Sequence, residues 1–284
     1  MDQRIIHLFD EYTHKPLTRD VFLKRLVQLT GTMAAAMTIL PLLESNYAYG
    51  AMPPLEPGLK EEEVTWPGDN VTMKGYLVRP EEDRKRGGVV AIHENRGLTP
   101  HIKDVTRRAA KAGYIALGVD ALSVFGGTPA NEDEGRTLIG KLDKTQNLQN
   151  YLKGLVYLRS RPDSNGKTGC VGFCWGGSMA NQLAVNDPQL NAAVAFYGGQ
   201  PDAADVPKIK AQVQLHYAGL DERINAGIPA YEAALKAAGV KYQLFMYEGQ
   251  QHAFHNDSSA ARYNAEAAKL AWSRTLELFK ETLG

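Results

Sequence analysis

From residue 61 onward, short apolar runs alternate with longer stretches whose apolar residues recur every three or four positions. The first pattern is that of strands and the second that of helices. VTWPGDNVTMKGYLVRP, residues 64–80, predicts two antiparallel strands joined by a turn near Gly68 and Asp69. VVAI (89–92) predicts a third strand, and PHIKDVTRRAAKAG (100–113) a helix with Ile102, Val105 and Ala109 on one face and Gly113 as its stop. A strand at 114–120, a helix near 148–158, a strand at 168–173 and a helix from Gly176 follow. Strands at 192–198 and 213–219, a helix at 228–238 and a strand at 242–249 continue the alternation. A last helix carries Ala268, Trp272, Leu276, Phe279 and Leu283 on one face. Such alternation predicts a mostly parallel sheet with helices on both faces. Chemistry on such sheets gathers in the loops at the carboxyl ends of the strands.

The first fifty residues read differently. The apolar stretch LVQLTGTMAAAMTILPLL (26–43) follows Lys24 and Arg25 and precedes AYG (48–50), the layout of an export signal. TRDVFLK (18–24) resembles a twin-arginine signal with Asp20 where the second arginine belongs. Gln28, Thr30, Gly31, Thr32 and Pro41 argue against a stable membrane span. The alternative, which we favour, is a retained helical extension, because Ile5, Ile6, Leu8 and Phe9, then Phe22, Leu23, Leu26 and Leu29, recur at roughly helical spacing. The expected organisation is an extension or degenerate signal at 1–50, a Pro-rich linker at 51–60 and a catalytic domain at 61–284. A cytoplasmic location is favoured over a periplasmic one.

Composition narrows the function. The chain has 284 residues, 44% hydrophobic and 23% charged, with 32 basic and 32 acidic side chains. No net field recruits nucleic acid or an anionic membrane. Cys170 and Cys174 fall on one extended segment, about 13 Å apart and beyond disulfide reach. Their spacing lacks the further Cys and His ligands of a zinc site, so no metal is expected.

The chemistry centres on VGFCWGGSM (171–179). Gly172-Phe173-Cys174-Trp175-Gly176 is G-x-C-x-G between a predicted strand and a predicted helix: the nucleophile-elbow pattern of the α/β-hydrolase fold, with a thiol in the usual serine position. The glycines make room for neighbouring backbone, and the helix N-terminus favours the thiolate. Cys170, inside the strand, reads as a buried structural residue. An orienting acid and a histidine should follow in that order. Asp221 follows the strand 213–219 and His252 follows the strand 242–249; Glu222, Asp257 and His255 are the competitors. His7, His14 and His101 read as solvated surface groups, and His216 as a hydrogen-bonded core residue. The loop IHENRGLTPHI (92–102) places Asn95 to supply one oxyanion-hole N–H, the other coming from Trp175. Glu94 stands beside them, either controlling the thiol or pairing with Arg96. No candidate catalytic residue precedes Glu94, so residues 1–50 are expected to be dispensable for chemistry.

These residues, GFCWGG above all, resemble the dienelactone hydrolase family over most of 61–284. The resemblance implies an α/β-hydrolase fold with Cys174 as nucleophile, Asp221 orienting His252, and Glu94 as the gate that deprotonates the thiol when substrate displaces it. It implies hydrolysis of a small ester or lactone through an acyl-enzyme, without cofactor, by a monomer or homodimer. Family members of the chlorocatechol pathway hold a substrate carboxylate with arginines, one of them four residues after the histidine; this chain has Asn256 there. Arg96, Arg136 and Arg223 are the remaining candidates for that role, and neutral substrates are expected to be turned over at least as well as carboxylated ones. A non-catalytic or redox-sensing protein on the same fold is the alternative.

Overall fold

The computed structural model describes residues 1–15, 17–44, 52 and 54–284. The expected AYG stretch at 48–50, and positions 51 and 53 of the expected linker, lie outside them. Eight strands form one sheet: β1 (Leu59–Pro67), β2 (Thr72–Pro80), β3 (Arg86–Ile92), β4 (Ile115–Asp120), β5 (Ser164–Phe173), β6 (Ala192–Phe196), β7 (Gln212–Ala218) and β8 (Tyr242–Tyr247). Their spatial order is β1-β2-β4-β3-β5-β6-β7-β8. The β1–β2 and β2–β4 pairs are antiparallel and all later pairs are parallel. β1 opens at Leu59, inside the stretch expected to be linker.

Strand periodicity divides the core into two layers. Along β3, Val90 and Ile92 join the cluster under α6 (Lys144–Ser160), α7 (Trp175–Asn186) and α9 (Ile228–Ala237). Val89 and Ala91 join the cluster under α4 (Pro100–Lys111) and α10 (Ala265–Leu283). Side chains alternate across a strand, so a buried strand serves both layers and reads as a continuous apolar run. Cys170 is fully buried in the first layer, where burial pushes its thiol pKa up. The polar helices α5 (Glu132–Ile139) and α8 (Glu222–Asn225) had no apolar signature strong enough to predict them.

The amino-terminal segment folds as three helices, α1 (Gln3–His14), α2 (Arg19–Thr30) and α3 (Met33–Leu43). Asp2, Thr18 and Thr32 cap their N-termini through side-chain oxygens. Gly31, at φ 84°, ends α2 in the left-handed conformation that favours glycine. No single described helix is long and apolar enough to cross a membrane; α2 and α3 pass that test only as a pair bent by 114°. Ile5, Leu8, Phe9, Tyr12, Phe22, Leu26, Leu40 and Leu43 form a third hydrophobic cluster, separate from the two sheet layers. Polar contacts join this unit to the sheet domain: the Tyr12 hydroxyl donates to Asp133 at 2.8 Å, Arg262 reaches Asp10 at 3.2 Å, and Arg19 bridges Glu44 and Asp133.

Candidate active site

β5 ends in a turn whose next residue, Cys174, has φ 55° and ψ −112°, a conformation non-glycine residues rarely adopt. Two glycines permit it. A Cβ at Gly172 would lie 1.9 Å from the Gly176 carbonyl oxygen, and one at Gly176 would lie 2.4 Å from the Ile92 carbonyl oxygen. Helix and strands are therefore in backbone contact around the turn, which the Cys174 N–H fastens by donating to the Phe196 carbonyl at 3.0 Å. The side chain projects at the start of α7, where the helix dipole favours negative charge. Trp175 is the first residue of α7, so its N–H has no partner within the helix.

Asp221 follows β7 and His252 follows β8, and neighbouring parallel strands bring them together across 31 positions. His252 Nδ1 lies 2.5 Å from Asp221 Oδ2, and both residues are buried. A carboxylate only accepts, so Nδ1 donates, and Nε2 meets no partner at ordinary hydrogen-bond distance among the described residues. Burial opposes charging the His252 ring, but beside a Cys174 thiolate the sulfur and the Asp221 carboxylate outweigh it and raise its pKa to about 10. Burial likewise works against the Asp221 carboxylate, and the bond to His252 pulls its pKa below the usual range. The competitors stand elsewhere. Asp257 pairs with His101 at 2.8 Å and with Arg108, Glu222 is exposed, and the His255 ring packs against Phe173 and Phe196. His216 bonds Tyr247 and Gln214 within the core, as expected of it.

Several expectations need correction. His101 is buried and ion-paired rather than solvated. Arg96 pairs with Glu132 and Asp133 instead of Glu94. Glu94 and Cys174 line one small cavity, yet the Glu94 carboxylate accepts from Asn256 Nδ2 at 2.6 Å. His93, stacked on Trp175 with ring centroids 5.2 Å apart, bonds the Glu94 carbonyl through Nδ1 and fixes the loop that carries Asn95.

The largest correction is His14. Its Nε2 lies 3.2 Å from Cys174 Sγ, and its ring sits edge-on to His252 with centroids 4.8 Å apart. A segment expected to be remote from the chemistry thus roofs the nucleophile. Thr13, His14, Lys15 and Leu17 close one side of a cavity of about 550 Å³ whose other walls include Cys174, Trp175, Arg136 and Arg223. Arg136 is spent on the roof, donating to the Tyr12 carbonyl and lying 4.0 Å from the Tyr12 ring centroid. No acid stands within ion-pair reach of Arg223 among the described residues. The His14, Cys174 and His252 donor atoms lie within 4.8 Å of one another, so the two imidazoles and the thiol form one cluster. Sequence carried one hint of this role: the apolar face of α1 points its terminal Thr13 and His14 in a fixed direction, but nothing in that face says what it docks on.

Comparison with known proteins agrees with this architecture. The family model for the dienelactone hydrolase family matches residues 73–283. A provisionally named carboxymethylenebutenolidase of Synechocystis sp. is 31% identical over 246 residues, covering 79% of this chain and 98% of the relative. One from Saccharolobus solfataricus is 31% identical over 252 residues, covering 75% and 96%. The crystal structure of a provisionally named dienelactone hydrolase from Klebsiella pneumoniae superposes with a TM-score of 0.71 at 28% identity, covering 78% of this chain and 98% of that one.

Proposed function

This chain belongs to the dienelactone hydrolase family and is a hydrolase of esters or lactones, and from that premise we propose that it works through a cysteine acyl-enzyme on Cys174. The observation that carries the reading is the strained elbow, which aims a thiol at a buried His252–Asp221 pair. His252 Nε2 takes the thiol proton, with Asp221 holding the ring and balancing its charge. Sulfur attacks the carbonyl carbon, and the Asn95 and Trp175 N–H groups receive the developing oxyanion. His252 returns the proton to the leaving alkoxide, then activates water to hydrolyse the thioester.

Intact mass after mixing with an activated ester should show one acyl adduct that Cys174→Ala loses together with activity, a drop of about 10³-fold or more. A Cys174→Ala protein that still turns over the ester defeats the reading. For the substrate, a neutral small ester or lactone follows from Asn256, whose amide is committed to Glu94. Arg223, which lines the cavity and makes no close ion pair among the described residues, favours a second reading in which a carboxylated substrate is held there. Comparing kcat/KM for a carboxylated and a neutral lactone, in wild type and Arg223→Gln, decides between them.

A further inference from the structure

The family model begins at residue 73, so α1 and its His14 stand outside the region shared with the family. His14 nonetheless touches the sulfur on which the proposed chemistry turns. Its own hydrogen bonds determine what it offers. Nδ1 lies 2.9 Å from the Asp10 carbonyl oxygen, which only accepts, and 3.0 Å from Thr13 Oγ1, whose own hydrogen is donated to that carbonyl, so Nδ1 carries the hydrogen. Nε2 then presents a lone pair to Cys174 Sγ. Burial holds the His14 pKa well below the usual histidine value, so the ring is neutral.

A neutral ring facing the sulfur with a lone pair accepts from S–H and repels S⁻. His252 acts in the opposite sense, since its protonated ring is stabilised by a thiolate. Glu94 lines the same small cavity and accepts from Asn256 through Oε2, and no hydrogen bond joins it to Sγ among the described residues. We propose that His14 is the resting partner of the nucleophile: while α1 is docked, its Nε2 accepts the Cys174 S–H and keeps sulfur protonated, and its withdrawal releases that proton to His252 Nε2. The transfer breaks S–H, forms N–H and leaves a thiolate and an imidazolium, with no other reactant required. The residue that controls the thiol is thus supplied by the amino-terminal helices instead of by the loop after β3.

The joints of α1 to the sheet domain suit such movement. Asn95 Nδ2 donates to the Thr13 carbonyl at 2.8 Å, Gln3 and Gln251 exchange amide bonds, and Arg262 holds Asp10, all polar contacts that water can replace. Every wall contributes a group to the field at the sulfur: Lys15 beside His14, Glu94 after β3, Arg136 on α5, Tyr197 after β6, Arg223 after β7 and His252 after β8. Of these side chains, the two imidazoles act on Sγ directly: His14 Nε2 at 3.2 Å, and His252 through its charge and hydrogen-bonding interaction with the sulfur.

The inference rests on Cys174 being the nucleophile, and its test separates the two. The rate of Cys174 alkylation by iodoacetamide is measured against pH in full-length wild type, His14→Asn, His14→Gln and Glu94→Gln. Asparagine keeps an amide near the Nδ1 position and loses the reach to sulfur; glutamine restores a polar group near Nε2. His14→Asn should move the midpoint of the profile down by about one pH unit, the equivalent of one lost hydrogen bond, and speed labelling at pH 7 several-fold. His14→Gln should move it less, and Glu94→Gln should leave it in place. A profile unchanged in His14→Asn overturns the proposal. So does a higher plateau with an unmoved midpoint, which would make α1 a steric cover only. Ester turnover persisting in Cys174→Ala would instead bring down the nucleophile assignment itself.

Discussion

The thiol is held between two regions built in opposite ways. On the sheet side, position is enforced by backbone: glycines in contact with carbonyls, parallel strands in register, and a buried Asp221–His252 pair. On the amino-terminal side, position is enforced by side chains at a polar joint over a separate small core. The first arrangement cannot yield without unfolding, whereas the second can part while each half keeps most of its buried apolar surface, the contacts of Ala261 and Arg262 with the small core being what it gives up. A fixed nucleophile under a removable partner is what control of a reactive thiol requires.

Disturbing the sheet side should have the larger effect. Gly176→Ala drives a Cβ against the Ile92 and His93 carbonyls, backbone that cannot step aside. We expect a loss of about 3 kcal/mol in stability and of nearly all activity, seen in thermal unfolding and ester hydrolysis together. Disturbing the joint should separate the two readouts. Asp133 gathers Tyr12, Arg19, Arg96 and Arg136, and Asp133→Ala should weaken docking by about 1 to 2 kcal/mol, reduced by its partial exposure. Cleavage within residues 1–44 by a dilute protease should accelerate, while the main thermal transition moves little. Equal shifts in both would mean that the two regions unfold as one.

The smallest effect is one of pH. Burial opposes charge on Asp133, but the Tyr12 hydrogen bond and then the Arg96, Arg136 and Arg19 charges hold its pKa below the usual carboxylate range. A depressed folded-state value contributes stability that is present above the unfolded value of about 3.9 and is lost as pH falls through the folded one. Docking should therefore weaken in two stages as pH falls, first below about 6.5, where an undocked His14 takes up a proton that the docked ring cannot, and then below about 4 through Asp133, with protease cleavage of the amino-terminal helices rising at each before the sheet domain unfolds. In Asp133→Ala the second of these rises should be smaller.

What the sequence disclosed follows the same division. Alternating apolar runs and G-x-C-x-G are local patterns, so the sheet, its helices and the positions of Cys174, Asp221 and His252 at strand ends could all be read from the chain. α5 and α8 escaped because short polar helices leave a weak periodic trace. Helices were favoured at the amino terminus from the spacing of Ile5, Ile6, Leu8 and Phe9 and of Phe22, Leu23, Leu26 and Leu29, and the structure forms them. The docking of α1 on the nucleophile was not legible. It depends on contacts such as Tyr12 with Asp133 and Asp10 with Arg262, spanning 121 and 252 positions, which no local pattern encodes.

The backbone at Cys174 carries a further consequence, for how this sequence can change. A non-glycine residue at φ 55° and ψ −112° costs about 1 to 3 kcal/mol. Glycine would relax that conformation, so selection for stability alone favours replacing the residue that selection for turnover keeps. Copies of this chain relieved of the demand for activity should therefore lose the thiol early and keep the fold, and a relative with glycine at the elbow should be a sturdier protein that no longer hydrolyses anything.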